Sequence, residues 1–260
     1  MTTYLDAILR RKRDEVAADR AARPEAELRA RLADAPPPRD LSAALSDRGG
    51  PARIIAEVKR ASPSAGAISA GLDAPAQASR YQAAGAAAIS VLTDGPGFGG
   101  SLADLVAVRA AASVPVLRKD FTVDGYQLVE ARAAGADAAL LIVAALPGDQ
   151  LRRLHDLCGE LGLSALVEAH DGAEVERALA AGARIVGVNN RDLHTFQVDL
   201  ATSERLLPGL PAGVKGVAES GVRTQADARR LRLAGAPNLL VGEALVRAAD
   251  PGALLRDLCG

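Results

Sequence analysis

The chain has 260 residues, 49% of them hydrophobic, with 31 basic against 32 acidic side chains and a net charge of −1. This length suits one large α/β domain or two small ones. A near-neutral chain has no bulk field to draw in nucleic acid or an anionic membrane, so any anion must be bound locally. No apolar run approaches the about 18 residues of a membrane span, and the start, MTTYLDAILRRKRDEV, is charged and lacks the apolar stretch of a leader. The expectation is a cytoplasmic protein with neither membrane nor nucleic acid as partner. Cys158 and Cys259 have no CxxC spacing and read as plain thiols in a reducing compartment.

Residues 1–50 read as a helical extension packed on the main domain. Leu5, Ile8, Leu9 and Val16 share one helical face. The basic run from Arg10 to Arg13, next to Asp14 and Glu15, reads as a solvated helix face rather than a binding patch. A second helix is expected near Glu25 to Leu32, ended by Pro36, Pro37 and Pro38. Asp40 or Ser42 can cap a third, short one through Leu45.

From Arg53 onward, short apolar runs alternate with helical segments. The runs are RIIAEV, AAISVL, VPVLRK, ADAALLIV, SALVEA, RIVGVN, VKGVAE and NLLVGE. Each is of strand length and continuously apolar, as expected of parallel strands buried on both faces. The tripeptide AGA recurs at Gly85, Gly135, Gly182 and Gly235, always between a helical segment and the next run. A glycine there can adopt the left-handed conformation that ends a helix. Eight regular βα units favour closure: the fold class is α/β, a (β/α)8 TIM barrel formed as a single domain over 1–260 with the N-terminal helical extension.

Almost every run ends in a polar residue. Glu57 and Lys59 close the first, Lys119 and Asp120 the third, Glu168 the fifth, Asn189, Asn190 and Arg191 the sixth, Glu219 and Ser220 the seventh. In a barrel these strand ends meet at one rim, where such enzymes carry their chemistry. Charges are seldom buried without a use or a partner. Two lysines and three glutamates at one mouth suggest acid–base work. A lysine pKa lowered by nearby cations and glutamate pKa values raised by exclusion of water would bring both toward neutrality. Gly221 and Gly242, with Glu243, follow the seventh and eighth runs, where barrels grip phosphate through backbone N–H groups.

The segment 95–100 fits GxGxxG, with Asp120 further on, but it follows the second run and carries Pro96, so it reads as a βα loop bringing Phe98 to the mouth. His155, His170 and His194 lack metal-ligand spacing, and His155 reads as a surface residue on a helix. Ser62 and Ser64 are candidates for substrate oxygens, or simply a turn at proline.

The segment from Glu57 to Ser64, EVKRASPS, resembles the EVKxxSPS signature of the indole-3-glycerol-phosphate synthase family. The resemblance continues through VLT, FGGS, LRKDF, LLIV, LVE, GVNNRDL, AESG and VGE, over nearly the whole chain. It implies ring closure, decarboxylation and dehydration of 1-(2-carboxyphenylamino)-1-deoxyribulose 5-phosphate, with no metal or organic cofactor. By motif match Lys119 is the general acid and Glu168 the general base. Lys59 is a charge stabiliser or second acid, and Glu57, Asn189, Glu219 and Ser220 orient substrate and lysines. Arg191 lies near the anionic groups, Ser62, Phe98 and Phe121 contact substrate, and Gly221, Gly242 and Glu243 take the phosphate.

Three departures from the family pattern stand out: DGPG at 94–97, Gly125 where proline is common, and Ala244 without a hydroxyl. They leave the packing of the 94–100 lid open and suggest a looser loop at 125. Competing readings are another phosphate-binding barrel such as phosphoribosylanthranilate isomerase, which would want an Asp or Cys pair at the rim, a Schiff-base aldolase, and a non-catalytic scaffold. The chain is expected to be a monomer or a weak homo-oligomer.

Overall fold

The computed structural model describes residues 4–62, 66–192 and 195–260. The extension forms α1 (Tyr4–Ala22), α2 (Glu25–Arg31) and α3 (Leu41–Ala44), the last capped by Asp40, whose carboxylate accepts from the Ala43 N–H. β1 (Arg53–Val58) leads into a short antiparallel ribbon, β2 (Ala61–Ser62) and β3 (Gly66–Ala67), that the proline-turn reading did not foresee. The alternation then runs α4 (Ala74–Ala83), β4 (Ala88–Leu92), α5 (Leu102–Ala111), β5 (Val116–Lys119), α6 (Gly125–Ala133) and β6 (Ala138–Ile142). It continues with α7 (Gln150–Glu160), β7 (Ser164–Ala169), α8 (Gly172–Ala180), β8 (Ile185–Asn189) and α9 (Ala201–Leu206). Then come β9 (Lys215–Glu219), α10 (Gln225–Leu233), β10 (Asn238–Val241), α11 (Glu243–Arg247) and α12 (Pro251–Cys259).

Each of the eight apolar runs contributes one strand to a closed parallel barrel in the order β1-β10-β9-β8-β7-β6-β5-β4, with β4 pairing back to β1. Closure leaves no barrel strand with an unpaired edge. The core is aliphatic, with Tyr81 and Tyr126 its largest fully buried side chains. The four AGA glycines have φ of 100°, 88°, 97° and 87°, each following a helix C-cap alanine. A side chain at these positions would be strained, and this is why the tripeptide recurs. Gly125 is the first residue of α6, behind a capping box between Asp124 and Gln127, and Leu157 packs where its side chain would stand. The start of α6 is thereby tied down rather than loosened.

The basic run of α1 is not a solvated face. Lys12 is buried, its Nζ 2.6 Å from Asp94 and 3.0 Å from Asp120, and Arg11 bonds Asp94 at 2.8 Å. The reason is geometric: α1 lies over the barrel mouth, and Asp94 and Asp120 follow the C-terminal ends of β4 and β5 beneath it. Only Arg10 and Arg13 of the run are exposed. Asp94 opens the divergent DGPG stretch, so this loop is anchored through its first residue. Arg20, 2.6 Å from Asp124 and stacked 5.3 Å over the Tyr126 ring, fastens the far end of the helix. His155 is half-buried rather than a surface residue, its ring packed against Gly182. No helix among the described residues is long and apolar enough to cross a membrane.

Candidate active site

The strand ends converge on a cavity of ≈ 670 Å³ at the C-terminal mouth of the barrel. Each strand supplies its part by ending where it does. Glu57 is the penultimate residue of β1 and Lys59 lies just past it, with Lys59 Nζ 2.8 Å from Glu57 Oε1. Lys119 ends β5, and its Nζ lies between two carboxylates, 2.7 Å from Glu168 Oε2 on β7 and 2.6 Å from Glu219 Oε2 on β9. Asn189 ends β8 and donates from Nδ2 to Glu168 Oε1 at 3.1 Å. Its own Oδ1 accepts from the Arg191 N–H at 3.0 Å, which turns the chain at the rim. The register explains the grouping, since Asn189 pairs with Glu219 and Glu219 with Leu240 on adjacent strands.

Two glycines make room for these carboxylates. A Cβ on Gly187 would overlap Glu219 Oε1, and one on Gly242 would overlap Glu57 Oε1. Neither has a left-handed φ, so the requirement is close approach and not backbone conformation. Ser220 is different: its φ of 65° is left-handed for a non-glycine residue. Such conformations cost energy and persist where surrounding structure imposes them. Ser220, Gly221, Gly242 and Glu243 line one side of the cavity. Phe98 and Phe121 form an apolar wall, their rings 6.0 Å apart and inclined at 52°. Arg191 and Ser62 also reach the cavity. All fourteen residues chosen from the sequence thus border one space. Ser64 and His194 lie outside the described residues.

The electrostatics differ from the expectation. Burial alone would lower the Lys119 pKa, but Glu168 and Glu219 outweigh it and raise it above the ordinary lysine range. Burial would raise Glu168, yet Lys119 and His170 hold it well below the usual carboxylate range. Glu219 is the group pushed toward neutrality, to about 7: burial and the neighbouring Glu168 charge outweigh Lys119. The ion pairs of Lys119 among the described residues are with carboxylates, not the cations expected to lower its pKa. Glu219 Oε1 is buried with no hydrogen-bond partner, which adds to the cost of its charge.

Several cavity residues escaped the sequence reading. Tyr4, Leu5 and Ile8 of α1 form part of the wall, and Tyr4 meets Phe196 edge-on at 5.7 Å. The extension therefore contributes to the site as well as packing on the barrel. Arg223 and Arg247 border the same side as Gly221 and Gly242. His170, one residue beyond β7, stands against Glu168; its signal was the polar stretch EAH, read only for metal spacing. Asp120, the acid a dinucleotide fingerprint would aim at a ribose, is instead buried among Thr93, Arg118 and Lys12. Among the described residues no group of three or more His, Cys, Asp or Glu side chains is arranged to hold a metal.

A closed parallel barrel with an acid–base cluster at its C-terminal mouth, walled by aromatics and glycine-lined loops, defines a barrel enzyme for a small, partly aromatic and anionic substrate. Comparison sharpens this to one family. Residues 5–258 match the family profile of indole-3-glycerol phosphate synthase. The chain is 53% identical to the indole-3-glycerol phosphate synthase of Nocardioides sp. over 258 residues, covering 99% of this chain and 98% of that protein. It is 52% identical to the Mycobacterium avium and Mycobacterium tuberculosis proteins of the same name over 256 residues, 98% of this chain and 93% of each. The chain belongs to the indole-3-glycerol phosphate synthase family. Among solved structures, thiamine phosphate pyrophosphorylase from Pyrococcus furiosus superposes with a TM-score of 0.61 at 15% identity, covering 84% of this chain and 96% of that one. The N-acetylmannosamine-6-phosphate 2-epimerase of Clostridium perfringens also gives 0.61, at 14% identity, covering 79% and 90%. These two share the fold.

Proposed function

We propose that this chain converts 1-(2-carboxyphenylamino)-1-deoxyribulose 5-phosphate to indole-3-glycerol phosphate, carbon dioxide and water, as a cytoplasmic lyase of tryptophan biosynthesis. The observation that carries the reading is the Lys119 ammonium set between Glu168 and Glu219 in the lining of the cavity. The substrate's carbonyl oxygen becomes strongly basic as the ring carbon attacks. Lys119, held fully protonated by its two carboxylates, is the acid that meets it. The same protonation argues against a Schiff-base aldolase, which needs the free amine. Loss of carbon dioxide restores the aromatic ring. Glu168, an ionised carboxylate on the same lysine, takes the proton released as water leaves.

Lys59, with Glu57, stabilises negative charge on the substrate or serves as a second acid. Asn189 and Ser220 orient substrate and Glu168. Ser62 and Arg191 meet substrate oxygens, and Phe98 and Phe121 hold the anthranilate ring. Gly221, Gly242 and the Glu243 N–H lie where backbone donors suit the phosphate, with Arg223 and Arg247 adding positive charge nearby. The extension and barrel act as one unit, because α1 supplies both wall and anchor. The test is continuous fluorescence detection of indole formation from the carboxyphenylamino substrate with purified protein. Glu168→Gln should lower turnover by roughly 100-fold or more, as for loss of a general base. No product from the parent protein would overturn the reading.

A further inference from the structure

The polar cluster extends past the groups used above. His170 follows the last residue of β7, and its ring Nδ1 lies 3.0 Å from Glu174 Oε2. The same oxygen accepts the His170 backbone N–H at 2.8 Å. Glu174 is itself fixed in the first turn of α8, its N–H donating to the cap residue Asp171 at 2.8 Å. A carboxylate only accepts, so Nδ1 carries a proton. The other nitrogen, Nε2, is buried without a hydrogen-bond partner and faces Glu168 Oε1 at 3.4 Å. A lone pair there would lie near a carboxylate oxygen, whereas a second proton makes the ring a cation attracted to it. Burial opposes that charge, but Glu168 and Glu174 outweigh it and push the His170 pKa up to about 10.

Glu168 and Glu219 both bond Lys119, and two close carboxylates on one cation compete for a single proton. Asn189 already favours Glu168, donating to its Oε1 while Glu219 Oε1 has no partner, but Asn189 carries no charge. His170 stands on one side only: it faces Glu168 from β7, with Glu174 of α8 behind it, while Lys119, Asn189 and Glu219 lie on the other sides of Glu168. We propose that His170, held as an imidazolium by Glu174, is the positioning residue that adds a charge to the Glu168 side alone, keeping Glu168 the free carboxylate and leaving the shared proton on Glu219. The inference rests on Glu168 serving as the base in the proposed reaction, because only then does the choice of carboxylate matter to turnover.

The test combines a pH profile with a readout independent of activity. In His170→Asn the acidic limb of kcat/KM should move up by about one pH unit, the scale of losing an opposite charge within about 4–6 Å. Glu174→Gln should move it in the same direction, and the double variant should match His170→Asn alone, since Glu174 acts through the ring. A packing role would instead lower the rate by one factor at every pH. Carboxyl carbon NMR, with signals identified by their loss in Glu168→Gln and Glu219→Gln, should find Glu219 titrating near neutrality and Glu168 ionised to lower pH in the parent. In His170→Asn the two titrations should draw together. A superimposable pH limb in an active His170→Asn variant, or unchanged carboxyl titrations, overturns the proposal. If the parent makes no indole product, the functional reading fails, and the NMR titration still decides the role of His170.

Discussion

Replacing Lys119 separates its two jobs, holding the cluster together and donating a proton. Its Nζ touches Glu168 and Glu219 at 2.7 and 2.6 Å, with both carboxylate side chains almost fully buried. Removing one partner of a buried ionic cluster leaves charge without compensation and costs about 3–5 kcal/mol. Lys119→Met keeps most of the apolar stem and so isolates the charge, whereas Lys119→Ala also opens a cavity. Turnover should fall by roughly 100-fold or more in both, the scale of losing a general acid. Lys119 is fully charged throughout the working range because its pKa is raised, so its own contribution to stability is present below the unfolded lysine value and is lost only at strongly alkaline pH.

The carboxylates set the pH dependence. Glu219 already has a raised pKa, so its protonated form favours the fold below the unfolded value of 4.5, and that contribution is lost as pH rises through about 7. Without Lys119 the Glu168 pKa rises from its lowered position and the Glu219 pKa climbs further, so the folded state holds more protons than it does in the parent. The deficit of the variant against the parent should therefore grow as pH rises, by about 1.4 kcal/mol per pH unit for each extra proton held. Urea unfolding at about pH 5.5 and about pH 8 measures this, and the indole fluorescence assay measures turnover. Turnover within threefold of the parent in Lys119→Met, or a deficit that shrinks with rising pH, would refute the reasoning.

Two further substitutions probe the surroundings. Gly187→Ala places a methyl group where Glu219 Oε1 sits; it should cost about 1–3 kcal/mol from overpacking and reduce turnover more than it changes KM, as steady-state kinetics and thermal melting will register. Lys12→Met removes the ammonium buried between Asp94 and Asp120; it should lower the melting temperature, at about 2–4 °C per kcal/mol, and raise amide exchange along α1. Unchanged α1 protection would mean that the apolar face alone holds the extension.

The barrel was legible because its physics is repetitive. Buried parallel strands must be continuously apolar, and the helices before Gly85, Gly135, Gly182 and Gly235 must end in a left-handed residue. The rim residues were legible because charge at the end of an apolar strand has few uses. The sign of the shift at Lys119 was not, because it depends on which neighbours lie within 3 Å, and strand order in sequence does not say that Glu168 and Glu219 flank Lys119 while Glu57 takes Lys59. The same limit hid Lys12: an amphipathic helix with charges on it is read as solvated until Asp94 and Asp120 are seen beneath it. Lys12 and Lys119 thus resemble each other. Each is an ammonium enclosed by carboxylates, Glu15, Asp94 and Asp120 around Lys12 and Glu168 and Glu219 around Lys119, and Asp120 is the chain neighbour of Lys119. The two clusters are joined through one peptide bond, so a rigid anchor for the extension is also a rigid mount for the proposed acid.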